Sequence, residues 1–197
     1  MISPNMFVIR EFFIALWQRI LEIIYAPWGT KEMLFILVPL IVVLFVIELY
    51  FGRYKYEKLG WNTAVGNSLA LLFVSMNLLD YLYSNGLFFT EHPKMILAFV
   101  VCIESLFLIF VNFFHIFPRE AAFGISSPLI LNYIGAASII MVYSNIPFDY
   151  LTLIAFIVLF AFLVALLWFI QSLEAPALPK IKVGKETLPI PEEIASD

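Results

Sequence analysis

Residues 150–171 read YLTLIAFIVLFAFLVALLWFIQ, a stretch without a single charged side chain. A helix needs about 20 predominantly apolar residues to cross the roughly 30 Å hydrocarbon core of a bilayer, so this stretch predicts a transmembrane helix. Toward the N-terminus, four more stretches have suitable length and composition, and these are 123–145, 95–117, 62–84 and 33–51. The predicted fold is an all-α integral membrane protein with five transmembrane helices.

The composition of the whole chain agrees with a lipid environment. Of the 197 residues, 63% are hydrophobic and 13% are charged, and the net charge is −4. Soluble domains are about half apolar and about a quarter charged, and a water-soluble fold of this length could not bury so much apolar surface in one core. The lipid bilayer is therefore the first expected partner. Nucleic acid is not an expected partner, because no basic stripe with interleaved aromatic residues occurs.

The first 29 residues differ from the five spans, because charged side chains interrupt their apolar pattern. At about 100° per residue, Glu11, Gln18 and Glu22 fall within about 40° of one another, opposite a largely apolar face. This pattern predicts an N-terminal interfacial amphipathic helix that keeps its carboxylates in water, followed by a turn at Pro27. If this helix spans the membrane instead, the number of transmembrane helices rises to six.

The loop lysines and arginines predict the orientation of the chain. Seven lie on one predicted side, against four on the other. The seven are Arg53, Lys55, Lys58, Arg119, Lys180, Lys182 and Lys185, and the four are Lys31 and Lys94 together with Arg10 and Arg19, the last two only if the first helix is interfacial. Cytoplasmic loops carry the excess of Lys and Arg. We therefore expect the C-terminus in the cytoplasm and the N-terminus outside.

A polar tail, residues 172–197, follows the predicted membrane domain of residues 30–171. The tail contains four prolines, and charged residues interrupt its apolar ones throughout. An extended, partly disordered tail is the favoured interpretation. A short hairpin around Gly184 or an added strand is the alternative, because side chains alternate in character over residues 180–188.

Polar and small residues recur every three or four positions in the second predicted span, so they share one face of the helix. If the amphipathic helix is numbered α1 and the first span, 33–51, is numbered α2, the second span, 62–84, is α3, and we call this set the α3 polar face. It comprises Asn62, Gly66, Ala70, Phe73, Asn77, Asp80 and Ser84. Gly66 and Ala70 form a small-xxx-small pair, which lets two helix backbones approach closely. Lipid offers no hydrogen-bond partner to Asn77 or Asp80. We therefore expect this face to contact protein or a water-filled cavity.

The side chain of Glu104 places a carboxyl group near the middle of the third span. At about 1.5 Å per residue, Glu104 lies about 3 Å, Asn77 about 6 Å and Asp80 about 10 Å from the middle of their spans, all toward the outer side. A hydrogen bond between Asn77 and Glu104 is therefore geometrically feasible. Two roles are open for Glu104, a proton- or cation-binding group in a translocation path, or a neutral acid that locks two helices together.

The fourth span carries further candidates for helix contact. Asn132 lies near the middle of this span, and Gly135 and Ser138 follow within two helical turns. Small residues let helices pack closely, and a buried amide can join two helices by a hydrogen bond. Asn132 is therefore a candidate for a polar packing face or an ion pathway, and Gly135 and Ser138 are candidates for close helix contact.

Sequence motifs of enzymes and metal sites are missing. There is no HExxH, no glycine-rich phosphate loop and no GxSxG, and Cys102 is the only cysteine. The two histidines, His92 and His115, are predicted on opposite sides of the bilayer, too far apart to share a metal ion. We expect no catalytic residue, no metal ligand and no cofactor, and an enzyme is disfavoured.

Three functions are compatible with these patterns. The first is a membrane-embedded structural subunit that self-assembles into a homo-oligomer or joins other membrane subunits in a larger complex. The alternative is an oligomeric proton or cation channel or transporter that uses the intramembrane carboxylates, since five spans leave little room for a pathway within one monomer. A weaker alternative is a membrane enzyme that acts on lipid.

Overall fold

The computed structural model describes residues 4–54, 60–173, 180–183 and 186–189. In this part of the chain there are seven α-helices, which are α1 (Pro4–Tyr25), α2 (Lys31–Arg53), α3 (Trp61–Ser84), α4 (His92–Phe113), α5 (Arg119–Ile125), α6 (Pro128–Tyr143) and α7 (Tyr150–Leu173). One turn of 3-10 helix, Ala26–Gly29, joins α1 to α2.

Five helical segments of the described chain are long and apolar enough to cross a membrane. They are α2, α3, α4, α5 and α6 taken together, and α7. The predicted all-helical bundle with five segments of suitable length and hydropathy is therefore confirmed. The helix α1 is not among them, and its apolar sequence is interrupted by Arg10, Glu11, Arg19 and Glu22.

The helix α6 lies at the centre of the bundle, where it contacts α2, α3 and α4. The most extensive contact joins α3 to α4, and α7 packs against α1 and α2. The main core lies at the end of the bundle where α2 and α7 begin and α3 and α6 end, and it includes Met33, Leu78, Leu82, Ile139 and Val142. Because lipid tails are as apolar as these side chains, close packing holds such a core together more than exclusion from water does.

The third span lies three to four residues earlier in the chain than the sequence predicted, because α4 begins at His92 and ends at Phe113, whereas the predicted span was 95–117. His115 has a φ of 54°, in the left-handed region. The Ile116 N–H donates a hydrogen bond to the Val111 carbonyl at 3.0 Å, which closes the last turn in the manner of a Schellman motif. His115 therefore lies beyond the helix, where its ring stacks on Trp61 with the centroids 4.1 Å apart.

The fourth predicted span, 123–145, consists of two helices in the structure. Ser126 and Ser127 separate α5 from α6. A residue that precedes proline avoids the helical conformation, so Pro128 prevents Ser127 from continuing α5. The Ser127 hydroxyl oxygen then accepts a hydrogen bond from the Ile130 N–H at 3.4 Å and caps α6. Measured along the axis of α5 at about 1.5 Å per residue, the break lies about 10 Å from the start of that helix.

A short β-hairpin is present in the tail. Its strands, β1 (Lys180–Val183) and β2 (Glu186–Pro189), pair antiparallel, with Lys180 opposite Pro189 and Val183 opposite Glu186. The structure thus contains the hairpin that was the less favoured interpretation of this segment. The tail residues 174–179, 184–185 and 190–197 lie outside the described residues.

Candidate functional site

The α3 polar face lies on the outer surface of the monomer. All seven of its residues are exposed, and the Phe73 side chain is 75% exposed. A Cβ atom built on Gly66 would meet no atom within 4 Å. The face is therefore open along the transmembrane helix to whatever surrounds the monomer.

The opposite face of α3 forms the contacts inside the bundle. Ala64, Ser68, Leu71, Leu78 and Leu82 are each at most 2% exposed, and this side of α3 packs on α4 and α6. The monomer thus buries the more apolar side of α3 and leaves the more polar side outside. Such an arrangement suits a helix in water, but α3 has the length and hydropathy of a membrane span.

One residue of the α3 polar face is also tied to the bundle. Asn77 Oδ1 accepts a hydrogen bond from the Tyr143 hydroxyl group of α6 at 2.9 Å. The Tyr143 ring stacks on Tyr81, with centroids 3.8 Å apart and an interplanar angle of 24°. In the described part of the chain, Asn77 therefore bonds to Tyr143 and not to Glu104, and its Nδ2 group has no acceptor.

Glu104 lies on the flank of α4 that is directed toward α6. Val101 and Leu108, three and four residues away on α4, pack with Leu131 of α6, and residues at this spacing are neighbours on a helix surface. Glu104 is half-buried, and it forms no hydrogen bond or ion pair with any residue that the structure describes. The other candidate carboxyl group, that of Asp80, lies on a different helix, α3, where it is exposed.

Gly135 lies where α2 and α3 approach α6. A Cβ atom at this position would lie 3.3 Å from Leu40 Cδ2, 3.6 Å from Leu71 Cδ1 and 3.7 Å from Val74 Cγ2. The first of these distances is shorter than an ordinary van der Waals contact, so the absence of a side chain lets the three helices meet. Gly66 and Gly135 therefore occupy opposite environments, one open and one closely packed.

Asn132 and Ser138 are buried on α6, but their polar groups bond within their own helix. Asn132 Nδ2 donates to the Pro128 carbonyl at 2.7 Å, and Ser138 Oγ donates to the Ile134 carbonyl at 2.7 Å. Asn132 also lines a cavity of about 180 Å³ between α2, α6 and α7. In the described chain, Asn132 therefore does not join two helices by a hydrogen bond of its amide.

A buried polar network that sequence reasoning missed joins α3, α4 and the break between α5 and α6. We call it the break network, and it comprises Asn67, Ser68, Asn112 and Ser126. Asn112 Nδ2 donates to Ser68 Oγ at 3.2 Å and to Ser126 Oγ at 2.8 Å, and Asn67 Nδ2 donates to the Ser126 carbonyl at 2.9 Å. Ser68, Asn112 and Ser126 are fully buried. The network supplies partners to the polar groups that a discontinuous helix exposes.

Arg19 ties α1 to the beginning of α7. Its Nη1 atom donates to both carboxylate oxygens of Asp149 at 3.1 Å, and also to the Thr152 hydroxyl group, while its Nε atom lies 2.9 Å from Glu22 Oε2. The backbone N–H of Thr152, then the Thr152 side chain and after it the Arg19 guanidinium, hold the pKa of Asp149 below its ordinary value. These bonds fix the C-terminal half of α1 at the end of the bundle where α7 begins.

The described residues contain no group of three or more His, Cys, Asp or Glu side chains that could hold a metal ion. Their polar side chains form three features: the hydrogen bonds of the break network, the ion pair of Arg19 on α1, and the exposed α3 polar face. Comparison of the chain with models of protein families, with curated proteins and with solved structures gives no match.

Proposed function

We propose that this chain is an integral membrane structural subunit that self-assembles into a homo-oligomer through the α3 polar face. One observation carries the proposal. Asn62, Gly66, Asn77 and Asp80 are exposed on a helix that is long and apolar enough to cross a membrane. A second protein surface would give these groups the contacts that the monomer does not supply.

The α3 polar face would be poorly stabilised by contact with hydrocarbon. An amide or hydroxyl group that loses its hydrogen-bond partner in an apolar environment destabilises a protein by about 1–3 kcal/mol, according to mutational data. Carboxyl groups within membrane spans face protein or water in nearly all cases. Hydrocarbon is therefore a poor neighbour for Asn77 and Asp80, and another helix is a good one.

A second copy of the chain fits this face better than an unrelated apolar helix does. Side-chain amides carry both donors and an acceptor, so an asparagine can pair with the same asparagine of a copy related by a two-fold axis. Asn77 still has its Nδ2 donors to offer, and Gly66 and Ala70 would let the two backbones come close enough for such a bond.

We further propose that α1 lies in the membrane interface. Glu11, Gln18 and Glu22 are exposed on this helix. Trp17 and Trp28 are 61% and 71% exposed, and tryptophan rings favour the headgroup region. The ion pair of Arg19 with Asp149 supports this position, because it holds α1 at one end of the bundle.

The orientation proposed for the bundle places the C-terminus in the cytoplasm and the N-terminus outside. Arg53 and Arg119 support it, because they lie at the same end of the bundle, at the end of α2 and the start of α5. Three lysines counted on the same side, Lys55, Lys58 and Lys185, lie outside the described residues.

Cysteine cross-linking tests the proposed interface directly. With Cys102 replaced by serine, Gly66→Cys should give disulfide-linked dimers on mild oxidation in membranes, because a two-fold axis would bring the two thiols together. The matched control is Gly124→Cys, since Gly124 is also an exposed helical glycine with open space around it. Equal cross-linking at both positions, or none at Gly66, would contradict an interface on α3.

Glu104 supports a second candidate function, an oligomeric proton or cation channel or transporter. Its carboxyl group is half-buried at mid-span and has no partner in the described part of the chain, and such groups mark ion and proton pathways in many membrane proteins. Asp80 on the α3 polar face would lie beside such a pathway in an oligomer. Nothing in the described residues favours an enzyme that acts on lipid.

Replacing Glu104 by glutamine tests this second candidate. If the carboxyl group carries protons or cations, Glu104→Gln should reduce the flux into liposomes by tenfold or more while leaving the thermal unfolding midpoint unchanged. Glu120→Gln, a change at an exposed residue of α5, is the control and should retain the flux. Equal flux for wild type and Glu104→Gln, above that of empty liposomes, would exclude the carboxyl group from the pathway.

A further inference from the structure

We propose that the break network holds one bound water molecule, placed between Asn112 and Ser126 where α4 meets the break between α5 and α6. The site is independent of the α3 polar face, because Asn112 and Ser126 are both fully buried inside the monomer. The donors and acceptors of the network do not all find partners within it.

Asn112 has an acceptor without a donor. Both hydrogens of its Nδ2 group are used, one toward Ser68 Oγ and one toward Ser126 Oγ. Its Oδ1 atom is buried and has no hydrogen-bond partner. Rotating the amide by 180° does not remove the deficit, because the Nδ2 group would then lie where Oδ1 lies now, a position at which no described group forms a hydrogen bond with the amide. The rotated amide would leave at least one N–H group without an acceptor in place of one oxygen without a donor.

Ser126 has a donor without an acceptor. Its Oγ atom accepts from Asn112, its N–H donates to the Ala122 carbonyl at 3.0 Å, and its carbonyl accepts from Asn67. The hydrogen of its hydroxyl group is donated to no acceptor in the described part of the chain. Asn112 and Ser126 are thus hydrogen-bonded to each other, and each still lacks one partner. Asn112 Oδ1 lacks a donor, and the Ser126 hydroxyl group lacks an acceptor.

A water molecule meets both deficits at once. It would donate a hydrogen bond to Asn112 Oδ1 and accept one from the Ser126 hydroxyl group, and buried waters typically make two to four such bonds. Each of these buried groups would otherwise lose its hydrogen bonds to water on folding and gain none in return. A cation fits less well, because the network contains no carboxylate, and both Nδ2 hydrogens beside the site would repel a positive charge.

Solid-state NMR of the full-length chain in lipid bilayers tests for this water. With ¹⁵N-labelled asparagine, magnetisation transferred from water protons should reach the Asn112 side-chain amide, whose signal is identified by its loss in Asn112→Leu. The control is Asn132, which is also buried but bonds to a carbonyl of its own helix. We expect transfer to Asn112 to be several-fold stronger than transfer to Asn132.

Ser126→Ala provides the second arm, because it removes one of the two groups that would hold the water. This variant should reduce transfer to Asn112 at least twofold, whereas Ser105→Ala should not, since the buried Ser105 hydroxyl bonds only to the Cys102 carbonyl of its own helix. A folded wild type without transfer to Asn112, equal transfer to Asn112 and Asn132, or unchanged transfer in Ser126→Ala would each overturn the proposal.

Discussion

Gly66→Leu should separate the proposed oligomer into monomers without unfolding them. Gly66 is exposed, and a Cβ atom there meets nothing within 4 Å in the monomer, so a leucine side chain has free space. In an assembly through the α3 polar face, the same side chain would occupy the place where the partner helix approaches. Overpacking of this kind costs about 1–3 kcal/mol, which corresponds to roughly 5- to 150-fold weaker association.

The oligomeric state in nanodiscs or mild detergent, measured by light scattering over a range of protein-to-lipid ratios, is the appropriate readout. Gly124→Leu serves as the matched control, because it makes the same change at another exposed helical glycine. The wild type and Gly124→Leu should share one association curve, and Gly66→Leu should be shifted to higher protein concentration. A monomeric wild type, or an unshifted curve for Gly66→Leu, would rule out self-assembly through α3.

The membrane class could be predicted from the sequence because hydropathy over about 20 residues depends on composition and not on contacts. The break in the fourth span depends on one local signal, the sequence Ser126-Ser127-Pro128. The helix stops there because a residue before proline disfavours the helical conformation. A prediction based on hydropathy alone takes no account of proline, so the predicted span 123–145 ran from the end of α5 into α6 without a break.

The α3 polar face shows a different limit of sequence reasoning. The spacing of Gly66, Asn77 and Asp80 correctly placed them on one face, because helix geometry fixes which residues are neighbours. What this face contacts depends on how the other helices pack, and in the monomer none covers it. Asn67 and Ser68 were overlooked because they lie off that stripe, and their partner Asn112 is 44 residues from Ser68 in the sequence.

Gly135→Leu should have the opposite effect to Gly66→Leu and destabilise the monomer itself. A Cβ atom at Gly135 would already lie 3.3 Å from Leu40 Cδ2, and a leucine would extend further between Leu71 and Val74. Because α2 and α3 are in contact with α6 on this side, the bundle cannot accept the added volume without moving a helix. We expect a loss of at least about 1–3 kcal/mol in the free energy of unfolding.

Reversible unfolding in mixed micelles, followed by circular dichroism, measures this loss. Gly135→Ala is the graded control, because its single methyl group meets the far end of the Leu40 side chain, which can rotate away, so the loss should be well below that of leucine. Gly66→Leu should unfold at the wild-type midpoint under monomeric conditions. If Gly135→Leu did the same, α6 could not be packed against α2 and α3 as closely as the structure shows, and the contrast between the two glycines would be lost.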